Sequence, residues 1–248
     1  MLTELKLLQY ALLRIVAWFF VLVLGFLFVT IPKVNATVAS LAVQEMNARF
    51  VPEGATLAVF SPLDPFLTLA TVAGMLAFLA TIPLVFSEFW DFVAPALHPR
   101  ERRMLAVGIL GALGLTALGA AFSFFFLVPI VFNELFAFLP FGVEPIFGLR
   151  QLIAVTVGFT LISSLLFLLP LVMVLLTYAG IVPSPFWLTY SRHAVLLTLI
   201  VSAIITPDGS GVSMLLLSLP ICGLYAAGYA GAKAVSIKGR SIRYKGGG

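Results

Sequence analysis

The chain has 248 residues, of which 62% are hydrophobic and only 10% charged, with a formal net charge of +4. A soluble domain carries about a quarter charged residues, so the bulk solvent around this chain is not water. Its long unbroken apolar runs also exclude a transmembrane β-barrel, which needs short alternating segments. An all-α membrane protein is expected.

Crossing roughly 30 Å of hydrocarbon by helix takes about 20 apolar residues. Six candidate spans follow in chain order, at about Leu12–Ile31, Phe66–Phe86, Leu105–Val128, Leu152–Tyr178, Ala194–Ile205 and Val212–Ala230. The first run lacks a small-residue cleavage site and is too long for a signal-peptide core, so it is read as mature structure. Pro32–Pro65 then forms an outer segment in which Val38–Phe50 has helical spacing and no breaker, predicting a short interfacial helix. The segment from Pro129 to Arg150, rich in Phe and Pro, is expected to cap the same face with extended or re-entrant pieces, which are tolerated only where protein shields the backbone.

The fifth candidate is too short to cross, since its dozen residues cover only about 18 Å. After it, Thr206-Pro207-Asp208-Gly209 reverses the chain, so the fifth and sixth helices read as a short hairpin. Pro83 and Pro170 fall inside spans, where each removes a backbone hydrogen bond. Their bends are either packing kinks or the means of curving helices around a concave groove.

Basic residues set the orientation. With the N-terminus inside, Lys6, Arg14 (counted at the inner margin of the first span), Arg100, Arg102, Arg103, Arg192, Lys233, Lys238, Arg240, Arg243 and Lys245 are cytoplasmic. These are eleven of fourteen, with Lys33, Arg49 and Arg150 outside. Six spans and two cytoplasmic termini are mutually consistent. Residues 1–235 then form one integral membrane domain, and 236–248 a flexible basic tail attracted to anionic lipid. The charge calls for no nucleic-acid partner. Cys222, the single cysteine, reads as a small buried residue.

Chemistry is mostly excluded. His98 and His193 lie in loops, and no metal-ligand spacing, P-loop, HExxH or GxSxG motif occurs. The spans are read as free of Asp, Glu, Lys and Arg, which argues against an ion relay. No catalytic residue, metal or cofactor is expected. The acids gather at the inner face: Glu4, Glu88, Asp91 and Glu101, the last flanked by Arg100, Arg102 and Arg103. Glu101 could pair locally in a solvated loop, worth about 0–1 kcal/mol. Alternatively, two carboxylates could each take one guanidinium of an arginine pair through parallel hydrogen bonds. Ser163, Ser164 and Thr206 bond within their helices or meet a partner helix.

Ile82-Pro83, Phe89-Trp90-Asp91-Phe92, Pro95-Ala96-Leu97 and Glu101-Arg102-Arg103 follow one another without gaps. In this order they resemble the TatC signature: a proline in the second span, then Trp-x-Phe-x-x-Pro-x-Leu, then Glu-Arg. Phe126-x-x-Pro129, Leu169-Pro170, Gly180-Ile181, Ile205-Thr206-Pro207-Asp208 and Ser218-Leu219-Pro220 with Leu224-Tyr225 extend the likeness. Leu2-Thr3-Glu4-Leu5-Lys6 resembles a degraded His-Leu-x-Glu-Leu-Arg opening, with Leu8 in place of its second arginine.

The resemblance implies a twin-arginine translocase core. Such a subunit binds the signal peptide of folded cargo at the cytoplasmic face of a prokaryotic inner membrane. It forms a homo-oligomeric receptor complex and recruits single-span TatA/TatB-type subunits for export driven by the proton gradient. By match, Glu4 and Glu101 would hold the two arginines, and Phe92, Pro95, Leu97 and Arg103 would shape the loop. Thr206 would meet a partner helix. Leu168 stands where the family often has glutamate, which would shift the polar contact to Ser163 or Ser164. The competing reading, a secondary transporter for a small solute, wants a midplane charge or an internal repeat, and the sequence offers neither.

Overall fold

In the computed structural model, which describes residues 2–32, 35–51, 56–93, 102–137, 146–205 and 211–245, the apolar runs become helices. A helix satisfies its interior backbone groups where water cannot. α1 (Leu2–Phe28) leads into a two-strand antiparallel ladder, β1 (Thr30–Ile31) and β2 (Ala36–Thr37), with Thr30 opposite Thr37. The interfacial helix appears at the expected bounds as α2 (Val38–Phe50). Thr37 starts it: its hydroxyl accepts from the Ser40 amide at 3.2 Å, and the Ser40 hydroxyl donates back to the Thr37 carbonyl at 2.8 Å.

β3 (Thr56–Ala58) precedes α3 (Asp64–Val93), which runs unbroken through Pro83. α4 (Arg102–Phe122) passes through a π-helical turn, Ser123–Leu127, directly into α5 (Val128–Ala137). The third span was expected to stop near Val128, with irregular chain after Pro129. The helix instead continues to Ala137. The π turn absorbs the proline: the Val128 amide bonds to the Ser123 carbonyl, five residues back, and this widened turn accommodates a residue with no N–H of its own. Among the described residues, the extended piece expected there is β4 (Ile146–Gly148), parallel to β3 in the register Thr56–Ile146, Leu57–Phe147, Ala58–Gly148, and 138–145 lie outside them.

α6 (Leu149–Phe167) and α7 (Leu169–Tyr178) meet at Leu168. There a tighter bond from the Leu168 amide to the Leu165 carbonyl, at 3.1 Å, replaces the helical ladder just before Pro170. Gly180, at φ 73°, ends α7. Its amide reaches the Thr177 carbonyl and the Ile181 amide reaches Leu176, the paired closure that a left-handed residue permits. α8 (Ser184–Thr189), α9 (Ser191–Ile205) and α10 (Val212–Lys245) complete the chain, with Pro220 inside α10.

Among the described residues, Gln9–Phe28, Asp64–Glu88, Gly108–Phe136 and Leu149–Tyr178 are long and apolar enough to cross a membrane, and Ser191–Ala203 is a shorter apolar helix. Arg14 therefore lies within the first span. The expectation of charge-free spans fails there, as the expected span Leu12–Ile31 already held Arg14; it fails also at Asp64, Glu88, Glu134 and Arg150, which the other three stretches include.

The chain forms two compact units, residues 1–164 and 165–248. In the first, the core sits where α2 packs on the bundle. Ala39, Val43, Met46 and Phe50 of α2 meet Val72 of α3, Phe132 of α5 and Ile153 of α6. Phe50 makes an edge contact with Phe124 (centroids 5.1 Å apart), and Arg49 lies over the Phe124 and Phe125 rings at 5.4 and 4.7 Å. Away from that core the spans are shallowly packed; Leu12, Leu13, Val16 and Val21 of α1 are exposed, an apolar surface suited to lipid or to another apolar helix. In the second unit α7 packs on α10 through glycines: a Cβ on Gly228 would meet Met173 Sδ at 2.6 Å and Pro170 Cα at 2.9 Å.

Candidate functional site

The candidate receptor residues are carried by the Leu2 end of α1 and the Val93 end of α3. Glu4 lies in the first turns of α1, Phe92 in the last turn of α3 and Arg103 in the first turn of α4; their side chains fall outside the described residues, as do Pro95, Leu97, Glu101 and Thr206 entirely. The approach of Glu4 to Glu101 is thus a matter of sequence motif alone. The structure does bring together the two helix ends that flank them. Arg14 Nη1 lies 2.8 Å from Glu88 Oε1, joining α1 to α3 across 74 positions of sequence. The Glu88 side chain is only 16% exposed, whereas that of Arg14 is 64% exposed.

Sequence reasoning missed this pair, having counted Glu88 among surface acids and Arg14 only as a topology signal. The available clue was one opposite charge at the same end of each of two consecutive spans. The other described ion pair is at the opposite end of α3, where Asp64 Oδ1 lies 3.7 Å from Arg150 Nη1.

Ser163 and Ser164 lie in a buried polar seam of the first unit. The Ser163 hydroxyl donates to the Gly119 carbonyl at 3.0 Å, so α6 is tied to α4. About one turn away, Ser123 of the π turn and Thr160 approach at 3.4 Å, while Thr160 and Thr156 also donate to carbonyls one turn back in α6. Such bonds glue helices where the alternative is an unpaired group in hydrocarbon. Ser163 is 3% exposed and Ser164 fully buried, and among the described residues the hydroxyls of Ser164 and Thr116 have no partner. Leu168, in place of the family's frequent glutamate, is buried at the α6–α7 break. No group of three or more His, Cys, Asp or Glu among the described residues could hold a metal.

In the second unit, Trp187 of α8 donates from Nε1 to Thr177 Oγ1 at 2.9 Å, and Tyr225 of α10 donates to the Trp187 carbonyl at 2.6 Å. These bonds fix the α7–α9 connection. Phe186 and Tyr190, with centroids 4.4 Å apart, stay exposed beside it.

Residues 3–220 match the family model described as Sec-independent protein translocase protein (TatC). The chain is 32% identical over 199 residues to the Sec-independent protein translocase protein TatC of Cenarchaeum symbiosum, covering 80% of this chain and 75% of that protein. It is 26% identical to that of Aquifex aeolicus, over 68% of this chain and 70% of the relative. The chloroplastic protein of Pisum sativum is 28% identical over 80% of this chain, but only 55% of its own length is spanned. A crystal structure titled Twin Arginine Translocase Receptor- TatC superposes with a TM-score of 0.76 at 22% identity, over 94% of this chain and 99% of the other, which shows the shared all-α membrane fold.

Proposed function

This chain belongs to the TatC family of Sec-independent protein translocase proteins, and from that premise we propose that it is the signal-peptide receptor and organising core of a twin-arginine translocase. The family is one of translocase components and not of catalysts. In this reading the chain crosses a prokaryotic inner membrane six times, with both termini in the cytoplasm. Residues 1–235 form the embedded part, and the basic segment 236–248 meets anionic lipid.

Glu101 and Glu4 each take one arginine of the signal peptide, because a carboxylate and a guanidinium form two parallel charge-assisted hydrogen bonds. Phe92, Pro95, Leu97 and Arg103 shape the loop between α3 and α4. Thr206 is one expected contact of single-span TatA/TatB-type subunits in a homo-oligomeric complex, and Ser163 or Ser164, buried on α6, is the other polar one. A solute-transporter function finds no support in the family match.

The observation that carries this reading is the match of the family model to residues 3–220, which spans every candidate residue. The test is binding of a synthetic twin-arginine signal peptide to the purified full chain, beside a Lys-Lys version and the Glu101→Gln variant. Loss of one bidentate charged pair weakens binding by about 1.5–3 kcal/mol, roughly ten- to a hundredfold. Equal affinity for all three combinations would leave the family match describing the fold alone.

A further inference from the structure

Arg14 is placed oddly for a residue that only marks topology. Counted back from Phe28 at 1.5 Å per residue, it lies about 21 Å along the span, roughly 9 Å short of the far edge of the hydrocarbon. An ionisable group there is costly enough to mark a function by default. It reaches Glu88 with a single 2.8 Å contact, and the Glu88 side chain is largely covered.

The pair adds little net stability, because the cost of taking both charges out of water offsets their attraction. Its consequence is geometric. The Phe28 end of α1 is held by shape, since Val23, Phe26 and Leu27 pack against the core beneath α2. The other half is held more loosely: no residue of Gln9–Phe28 is fully buried, only the stripe Ala11, Ile15 and Phe19 is half-buried along it, and Leu12, Leu13, Val16 and Trp18 are exposed. A helix that is apolar on every side can rotate in lipid with little change in burial, so hydrophobicity does not choose its azimuth. A hydrogen-bonded ion pair does. Glu4 precedes Arg14 by ten residues, about 15 Å of helix, and Phe92 follows Glu88 by four, about 6 Å.

We infer that Arg14 and Glu88 are positioning residues of the receptor face: their ion pair fixes the rotation of the Glu4-bearing half of α1 against the last turns of α3, so that both carboxylate-bearing segments meet the signal peptide in one register. This rests on the receptor function proposed above.

The test compares Arg14→Glu, Glu88→Arg and the double swap in full-length protein in nanodiscs. One readout is the Kd for a labelled twin-arginine peptide. The other is the distance distribution between spin labels at positions 4 and 92 in a Cys222→Ser background. Each single change is expected to raise Kd at least about fivefold and to broaden the distribution, and the swap to restore both. Arg14→Leu and Glu88→Gln replace any reversal that does not insert. Singles that leave Kd and distances unchanged, or a well-inserted swap that rescues neither, would overturn the inference. Failure of the wild-type chain to bind the peptide would instead strike the receptor function, and the distance data would then still decide whether the pair sets the rotation of α1.

Discussion

Asp64 and Arg150 join the first residues of α3 and α6 at the end of the bundle opposite Arg14 and Glu88, and Asp64 does two things at once. Its Oδ1 faces Arg150 Nη1 at 3.7 Å, and its Oδ2 accepts from the Ser61 amide at 3.0 Å. The Asp64 amide in turn donates to the Ser61 carbonyl, so Ser61-Pro62-Leu63-Asp64 is a closed turn that launches α3. With Asp64 5% exposed, its bond to the part-buried Ser61 amide matters more than the long ion pair to a half-exposed arginine. Asp64→Ala is therefore expected to cost about 1–2 kcal/mol, Asp64→Asn less because an oxygen acceptor remains, and Arg150→Ala about 0–1 kcal/mol. Thermal unfolding of the three variants in one detergent checks the order.

Gly228 predicts a sharper effect. Its Cα approaches Met173 and Pro170 so closely that a methyl group would meet backbone as well as a movable thioether. Gly228→Ala is expected to destabilise the α7–α10 contact by about 1–3 kcal/mol through overpacking. Gly158 is the control: it is helical, nothing lies within 4 Å of a Cβ placed there, and Gly158→Ala should be neutral or slightly stabilising. Equal effects in both would mean that close approach to Pro170 and Met173 does not set the cost at Gly228.

Phe50 anchors α2. It is 4% exposed and packs on Phe124 and on Phe132, whose ring centroid is 5.9 Å away. Phe50→Ala should leave a cavity and cost about 3–5 kcal/mol. Faster cleavage around α2 in limited proteolysis, with the spans still protected, is the expected readout.

Local signals were legible in the sequence and distant pairings were not. The bounds of α2 could be read because Val38–Phe50 has helical spacing and no breaker. Pro129 was misread because a stop signal in one dimension becomes tolerable once a π turn opens ahead of it, and nothing in the residue pattern announces that turn. The parallel pairing of Thr56–Ala58 with Ile146–Gly148 joins segments with no shared periodicity. Arg14 was assigned to the inner margin for the same reason: the group it pairs with is Glu88, 74 positions away. The family, by contrast, was carried by ordered local motifs such as Trp90-Asp91-Phe92 and Glu101-Arg102-Arg103, which need no partner to be recognised.

Tyr225 and Trp187 give a prediction for the connection after α7. Tyr225→Phe keeps the ring and removes the 2.6 Å hydrogen bond to the Trp187 carbonyl, at a cost of about 1 kcal/mol. Trp187→Phe loses the bond to Thr177 as well as part of the aromatic contact with Phe186, so its loss should be larger. Hydrogen exchange at the amides of α8 would report both, with Trp187→Phe the faster.

Ser163 and Ser164 are neighbours with opposite expectations. Ser163→Ala removes the bond to Gly119, freeing a buried carbonyl, and should destabilise by about 1 kcal/mol or more. Ser164 is fully buried and its hydroxyl has no partner among the described residues, so Ser164→Ala relieves an unsatisfied polar group and should be neutral or stabilising. Export of a twin-arginine cargo, assayed beside unfolding, then separates packing from partnership. If Ser164→Ala is stable yet export falls, the unspent hydroxyl is reserved for an incoming helix. If stability and export both hold, the seam serves only to bind α6 to α4, and the polar contact for single-span subunits lies elsewhere on the chain.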